Sequence, residues 1–535
     1  METKLNRRQF CKIVGAGVLS YELLAYGAAR NMAEPICSQK PNIIFIFDDQ
    51  LRAQALSCYG NKNITTPNLD LLASQGIRFK NATSTCPLCT PYRAMLQTGR
   101  YPTHSGAVIN WVDINPNQTC IAHVLKQAGY HTGFIGKWHL WAGGARHANK
   151  YEPTPGADEF YKAKNAEPEF VPPGQNRLGY EHWQAYNFHM DFNKAWYFED
   201  TPERLYMPGF ETDGETDFAI DFMVKHQSKD SKPFFLMVAP HPPHPLWNEE
   251  STPEGYINQI PKELVYRPNV PPTHPRRRNT YEMRSYYAMI KNFDDNVGRI
   301  IRFLDNSSLG ENTIIVITSD HGEQHGSQNR VNKMVPYAES VDIPLIIRWP
   351  GKIPAGIVSD SLYTPIDHMA TLCGLAGIST PDTCDGMDLS KEILGKGNVD
   401  REAILMANYV SHWDFFQTQT LWPEWRGVRT KRHTYVKWLD GKEELYDNIE
   451  DPCQRCNLAV YDLTQPGPNI SILNKMRAHL KRLLTEAHDE FLPGTAYGDW
   501  YDDQRRLVKT SLGPIKPTNK RYLRKQELLL VRRKV

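Results

Sequence analysis

The sequence has no marked excess of either charge: 62 Lys and Arg stand against 60 Asp and Glu, a net charge of +2. That balance excludes the strongly basic surface of a nucleic-acid binder. Basic residues gather only between Lys520 and Lys534, as a solvated terminal segment. Beyond the N-terminal region no apolar run is long enough to cross a membrane, so the mature chain is expected to be soluble, with no transmembrane segment. The 10 cysteines lack the close spacing of a disulfide framework. Two CxxC pairs occur, Cys86/Cys89 and Cys453/Cys456, far apart and without histidines at finger spacing, which excludes a zinc ribbon. Cys453/Cys456 stays open between a disulfide and two thiols. What is present is a globular composition, 40% hydrophobic and 11% aromatic over 535 residues, enough for a substantial core and suited to two domains, one of them large.

Near the start, Asn6-Arg7-Arg8-Gln9-Phe10-Cys11-Lys12 precedes a modestly apolar run, Ile13 to Ala29. A paired arginine before a weakly hydrophobic segment resembles a twin-arginine export signal, with Gly27-Ala28-Ala29 offering a cleavage site. Residues 1–33 are therefore expected to be removed, leaving a periplasmic or secreted protein.

Pro41-Asn42-Ile43-Ile44-Phe45-Ile46-Phe47 is a continuous apolar run, the mark of a strand buried on both faces, and it ends in Asp48-Asp49. Lys232 to Ala239 reads the same way and runs into His241 and His244 along an exit whose prolines should hold it extended. Asn312 to Thr318 runs into Ser319-Asp320-His321-Gly322. His131 to Ile135 is a further strand; in extended chain, Lys137 and His139 beyond it point to one side. Ile343 to Arg348 is one more, and Ile77-Arg78-Phe79 reads as short and edge-like. Helices are expected from Thr66, over Ile121 to Ala128, Glu215 to Lys225 and Tyr281 to Leu304. Residues 141–211, rich in prolines and rings (Tyr180, His182, Trp183, Tyr186, Trp196, Tyr197), read as an insertion covering the sheet, serving either carbohydrate stacking or an aromatic mini-core. After about 390, short alternating strands and an amphipathic stretch, Ile472 to His488, predict a small antiparallel sheet with a helix on it. The expected fold is α/β: a large, mixed, mostly parallel sheet flanked by helices over residues 38–390, then an α+β domain over 391–500 and a tail over 501–535.

Cys86-Pro87-Leu88-Cys89-Thr90-Pro91-Tyr92-Arg93 opens a helix that closes on Gly99. With Pro91 in the first turn, Cys89 lies at or just before the helix N-terminus, where free N–H groups suit an anion, and Arg93 lies one turn on. The stretch reads as a nucleophile beside an oxyanion site; the bland alternative is a buried helix start with a structural thiol. In open α/β sheets ligands bind beyond the carboxyl ends of the strands. Exits carrying Asp48/Asp49, Lys137/His139, His241/His244 and Asp320/His321 argue for one convergent site. Its carboxylates and imidazole suit Ca2+ or Mg2+ better than Zn2+. Arg93, Lys137 and Lys333 add positive charge for a sulfate or phosphate group, and His139 and His244 can move protons. The inferred reaction is metal-assisted ester hydrolysis with a covalent nucleophile.

Cys89-Thr90-Pro91-Tyr92-Arg93 with Leu96-Gln97-Thr98-Gly99-Arg100 resembles the first signature of the type I, formylglycine-dependent sulfatases of the alkaline phosphatase superfamily. Gly129 to His139 resembles the second, and Asp48-Asp49, Ser319-Asp320-His321-Gly322 and Glu444-Leu445-Tyr446-Asp447 match in family order, over roughly residues 40 to 460. The resemblance implies an alkaline-phosphatase-like fold and a Cys89 oxidised to formylglycine by a formylglycine-generating or anaerobic sulfatase-maturing enzyme. The aldehyde hydrate would be the nucleophile, with one hydroxyl on the metal. It implies Ca2+ held by Asp48, Asp49, Asp320 and His321, the last a position where the family more often has Asn. Arg93 would steady the hydrate. Lys137, His244 and Lys333 would hold sulfate, His244 or Lys333 would help the leaving oxygen depart, and His139 would take the proton that restores the aldehyde. His241 and His325 are expected to support the site or touch substrate, and Cys86 to be structural.

The expected substrate is a sulfated carbohydrate. The competing readings are a phosphodiesterase or phosphonate monoester hydrolase of the same superfamily, a thioredoxin-like pair at Cys86/Cys89, and an inactive glycan-binding relative. The filled site positions argue against the last.

Overall fold

The computed structural model describes residues 40–110, 114–141, 169–229, 232–409, 412–413, 421–422, 424–459, 469–492, 509–510 and 513–514. The expected export signal over 1–33, most of the tail over 501–535 and residues 142–168 of the insertion lie outside them.

From residue 41 on, the chain forms one compact unit. Its centre is a sheet whose strands are β1 (Asn42–Asp48), β2 (Ile77–Ala82), β3 (His131–Lys137) and β4 (His182–Tyr186), then, past a small ribbon of β5 (Trp196–Tyr197) and β6 (Leu205–Tyr206), β7 (Phe234–Ala239), β8 (Thr313–Ser319), β9 (Leu345–Arg348) and β10 (Ile357–Tyr363). The spatial order is β10-β2-β9-β8-β1-β7-β3-β4. All pairings are parallel except the two made by β9, so the sheet is mixed and mostly parallel, as expected. β1 sits at its middle, and the alternation of its side chains divides the interior. Ile43, Phe45 and Phe47 enter one core, with Tyr92, Met95 and Leu96 of the helix Cys89–Thr98. Ile44 and Ile46 enter the other, under the 25-residue amphipathic helix Tyr281–Asp305.

Three local expectations change. β2 is no edge: β10 and β9 pair with its two sides. Its alternating Arg78 and Lys80 mark side chains that reach solvent, Arg78 half-buried over the Tyr59 ring at 4.7 Å and Lys80 exposed, and not an unpaired main chain. The exit of β7 does not run extended; it turns, His244 N donating to His241 O at 3.0 Å. His139 leaves the extended region, with φ +53, so strand alternation does not set its direction.

Of the rings in the aromatic-rich segment, Trp183 and Tyr186 lie on β4, the outer strand, while Tyr180 and Trp183 pack on Phe134 at 5.2 and 5.4 Å. Tyr186 and Trp196 join Phe170, Phe198 and Met207 in a small buried cluster. These rings are core, which answers the choice between stacking surface and mini-core for them.

The C-terminal sheet is antiparallel, ordered β11-β14-β15-β16, with β11 (Ile404–Asn408), β14 (Trp425–Arg429), β15 (His433–Trp438) and β16 (Glu443–Asp447); β12 (His412–Trp413) and β13 (Leu421–Trp422) form a separate ribbon. The helix Ile470–Glu486 buries Leu473, Met476, Leu480 and Leu483 against Leu405, Val428, Tyr435 and Leu445. Trp425 Nε1 donates to Met334 O at 3.0 Å, so this sheet buttresses the loop that carries Lys333. No helix among the described residues is long and apolar enough to cross a membrane.

Candidate active site at the strand exits

β8, β1, β7 and β3 are consecutive in the sheet, and Asp48 is in register with Ser319 as Gly136 is with Ala239. The chain therefore leaves neighbouring strands at one level, and Asp320, Asp49, His241 and Lys137 follow. The helix Cys89–Thr98 drops into this rim. Cys89 is its first residue, Leu88 before it is extended (φ −152, ψ 137), and Gly99 ends it in the left-handed region at φ 64. All ten of its residues are buried. Thr90 Oγ1 donates to His139 O at 2.7 Å, tying the helix start to the β3 exit.

Cys89 Sγ lies 3.3 Å from His321 Nε2 and 3.9 Å from Asp49 Oδ1. The ligand-type atoms of Asp49, Cys89, Asp320 and His321 all fall within 4.8 Å of one another. Lys137 Nζ meets Asp49 Oδ2 at 2.6 Å, and Arg93 NH2 meets the same oxygen at 3.0 Å and Asp320 Oδ2 at 3.6 Å. Arg93 NH1 also donates to the Lys137 carbonyl, and its guanidinium lies 4.7 Å over the Phe47 ring. All of these side chains are essentially out of solvent.

The electrostatics ask for a cation. Burial raises the Asp48 carboxyl well above its usual range, reinforced by Asp49 and Asp320. Burial and Asp49 push Asp320 up to about 7 despite Arg93 and Lys137. Asp49 is the exception: burial opposes ionisation, but Lys137, His244 and Arg93 hold it well below. Both Asp48 oxygens are buried without a hydrogen-bond partner among the described residues, a cost of a kind that native structures rarely leave uncompensated. His321 is kept neutral by burial and by Lys333. Its Nδ1 faces the Gly322 carbonyl at 3.2 Å, so Nδ1–H donates there and the Nε2 lone pair stands beside the Asp49 and Asp320 carboxylates, as one more donor atom for a cation between them. Oxygen donors with one oriented imidazole fit a hard divalent cation.

Burial, then Asp49, raises the Cys89 thiol against the pull of Lys333 and Lys137. A resting thiolate is thus disfavoured, unlike the thiol nucleophile that the sequence suggests at first sight. His139 and His244 are neutral: burial lowers both, helped by Lys137 and Arg93 for the first and by Lys333 and Lys137 for the second. His244 Nδ1 donates to Pro245 O at 2.7 Å, leaving Nε2 as the acceptor. His241 packs on His244, ring centroids 4.7 Å apart, and its N–H donates to Glu211 at 3.3 Å. Lys333 reaches Gln50 Oε1. His325 lies further out, on Arg276 at 3.0 Å and between Trp247 and Tyr286, beside a cavity of about 380 Å³ lined by Gln50, Trp247, Arg276 and Glu282.

Sequence reasoning missed Phe188, Gln50 and Glu323. The half-buried Phe188 ring stands 4.8 Å from Lys137 Nζ, 5.0 Å from His139 and 5.2 Å from His241. Gln50 was findable as the neighbour of Asp49; nothing in the local pattern marked the other two.

The Sulfatase family profile matches residues 41–378, and that of the N-sulphoglucosamine sulphohydrolase C-terminal region matches 326–486. An ulvan-active sulfatase of Formosa agariphila is 34% identical over 464 residues, 84% of this chain and 82% of that protein. An endo-4-O-sulfatase of Bacteroides thetaiotaomicron is 28% identical over 506 residues, 86% and 95% of the two chains. The solved structure of a putative sulfatase from Bacteroides fragilis superposes with a TM-score of 0.72 at 31% identity, covering 86% of this chain and 99% of that one.

Proposed function

Since the chain belongs to the sulfatase family and is a sulfuric ester hydrolase, we propose that it removes sulfate from a sulfated carbohydrate, using a formylglycine made from Cys89 and a calcium ion. The observation that carries this is the setting of Cys89. It opens a wholly buried helix, 3.3 Å from His321, in a rim of carboxylates and cations where a thiolate is disfavoured.

Asp48, Asp49, Asp320 and His321 are the residues that would hold calcium, with position 89 as a further ligand. When present, calcium supplies charge stabilisation at the sulfate oxygens, and the hydrated aldehyde supplies the attacking hydroxyl. The chain does the rest. Arg93, fixed by Asp49 and the Lys137 carbonyl, orients position 89. Lys137, Lys333 and His244 bind the sulfate, His244 through an Nε2 proton that the bound anion favours, and Lys333 or His244 in that protonated form gives a proton to the departing sugar oxygen. Neutral His139 takes the proton from the hydroxyl at position 89. His241 supports His244, and His325 supports Arg276 at the cavity where the sugar enters. Carbohydrate is favoured over a small aryl ester by the relatives, named as ulvan-active and endo-4-O-sulfatases. The same reading includes a maturing enzyme, export through residues 1–33, and a division into a catalytic domain over 38–390 and a supporting domain over 391–500.

Protein made with a maturing enzyme is expected to carry a Cys89 peptide lighter by about 18 Da, the loss from thiol to aldehyde, and to desulfate members of a panel of sulfated oligosaccharides. Full activity with an unchanged Cys89 thiol overturns the nucleophile, and turnover of phosphate diesters far above sulfate esters overturns the substrate class.

A further inference from the structure

Gln50 follows the Asp48–Asp49 pair and carries no charge, yet it is wholly buried and each of its polar groups is engaged. Its main-chain N–H donates to Asp320 Oδ1 at 3.0 Å, and its carbonyl accepts from Tyr286 OH at 3.0 Å. In the side chain, Oε1 accepts from Lys333 Nζ at 2.5 Å and Nε2 donates to Glu323 Oε2 at 2.5 Å. Glu323 Oε1 accepts from the N–H groups of His325 (3.0 Å) and Asn332 (2.8 Å). The order is ammonium, amide, carboxylate, all buried.

A buried ammonium is usually matched by a carboxylate in direct contact. Here the carboxylate stands one residue back, and the ammonium rests on a neutral amide oxygen. That arrangement fixes Nζ by a hydrogen bond with no carboxylate in direct contact among the described residues, while Asp49, Asp320 and Glu323 act on it only from further off, so its attraction for a multiply charged anion is kept. The amide dipole is oriented to match both neighbours, with its oxygen toward the cation and its N–H toward the anion. Gln50 also lines the cavity of about 380 Å³, so the same side chain borders the leaving group's room and the cation beside Cys89.

We infer that Gln50 is a positioning residue for anion binding, holding the Lys333 ammonium in place while keeping the Glu323 carboxylate from pairing with it. This rests on the reading that Lys333 binds the sulfate group.

The test is a swap, Gln50→Glu together with Glu323→Gln. Every hydrogen bond has a counterpart in the swapped pair: the lysine still donates to an oxygen at position 50, an amide still bonds a carboxylate, and the N–H groups of His325 and Asn332 still meet an oxygen. Only the negative charge moves, onto Lys333. With inorganic sulfate as the probe, measured by calorimetry and by competition against an aryl sulfate, the swap is expected to weaken binding by about tenfold or more, the scale of a buried charge contact, and to raise KM more than it lowers kcat, with Tm unchanged. Should the swap fold poorly, Gln50→Leu alone serves: the lysine loses the oxygen that holds it and is no longer kept apart from Glu323, so sulfate binding is expected to weaken about tenfold. A swap, or in its place a single variant, that binds sulfate as the wild type does overturns the inference and leaves Gln50 a structural role only. A wild-type enzyme that turns over sulfate esters while Lys333→Ala binds sulfate unchanged overturns the reading of Lys333 itself, and the inference with it.

Discussion

Asp48 is the residue whose energetics are most one-sided. It is buried, its oxygens have no partner among the described residues, and it faces two further carboxylates. Without a cation, Asp48→Asn removes a cost, so in chelator the variant is expected to melt above the wild type. With calcium the order reverses, because the wild type gains RT ln(1 + [Ca]/Kd), about 2.7 kcal/mol at a hundredfold excess over Kd, and the variant loses most of it. Melting curves with and without calcium check this apart from activity. Phe188→Ala removes the ring that Lys137, His139 and His241 lean on; kcat/KM is expected to fall about tenfold, the scale of a cation–π contact plus lost exclusion of water, while Tm moves little. The charged members of the site were legible because a carboxylate or lysine at the end of an apolar strand has no cheap solution except a partner. Phe188 and Gln50 were not, since a neutral side chain in a loop sends no such signal, and only the folded distances give it one.

At the scale of elements, the tight approach of β3 to β7 sets where Lys137 emerges. Gly136 has φ +99, and a Cβ there would lie 2.5 Å from Ala239 O and 2.7 Å from Glu215 Oε1. Gly136→Ala is expected to cost about 2–4 kcal/mol, overpacking and left-handed strain together, and to lower activity by displacing Lys137; denaturant unfolding and kcat/KM report the two effects. The buried strands β1, β7 and β8 were readable as unbroken apolar runs. β2 was misjudged because Arg78 and Lys80 describe its faces, and faces carry no information about whether the main-chain edges are paired. The β7 exit was misjudged because proline fixes its own φ but not the turn that follows.

For the whole molecule, buried imidazoles weaken the fold in acid, against the raised carboxyls of Asp48, Glu211 and Asp320, which act the other way. His189 and His368 lie in different parts of the core, and burial lowers each to about 3. In the unfolded chain they bind protons from about pH 6.5 downward. At these two residues the unfolded state therefore holds more protons than the native one between about 6.5 and 3, and their share of stability falls as pH falls through that window. Urea-unfolding midpoints at pH 7.5 and 5.5 check the imidazole share: His368→Gln is expected to lose less stability over that interval than the wild type. The separate antiparallel sheet was visible from the change of texture near residue 390. What the pattern did not convey is that the smaller sheet reaches back, through Trp425 on Met334, to the loop of Lys333. A contact between segments so far apart in the chain leaves no local trace in either.

The complete burial of the helix Cys89–Thr98 has a consequence in time. A modifying enzyme must grip the peptide around Cys89 in an accessible form, and in the finished fold no residue of that helix is accessible. On the proposed reading, oxidation of Cys89 would belong to the interval between synthesis and closure of the sheet. A molecule that folded first would then stay inactive, however much maturing enzyme it met later, and the fraction of active protein in a preparation would record the outcome of a race between two rates.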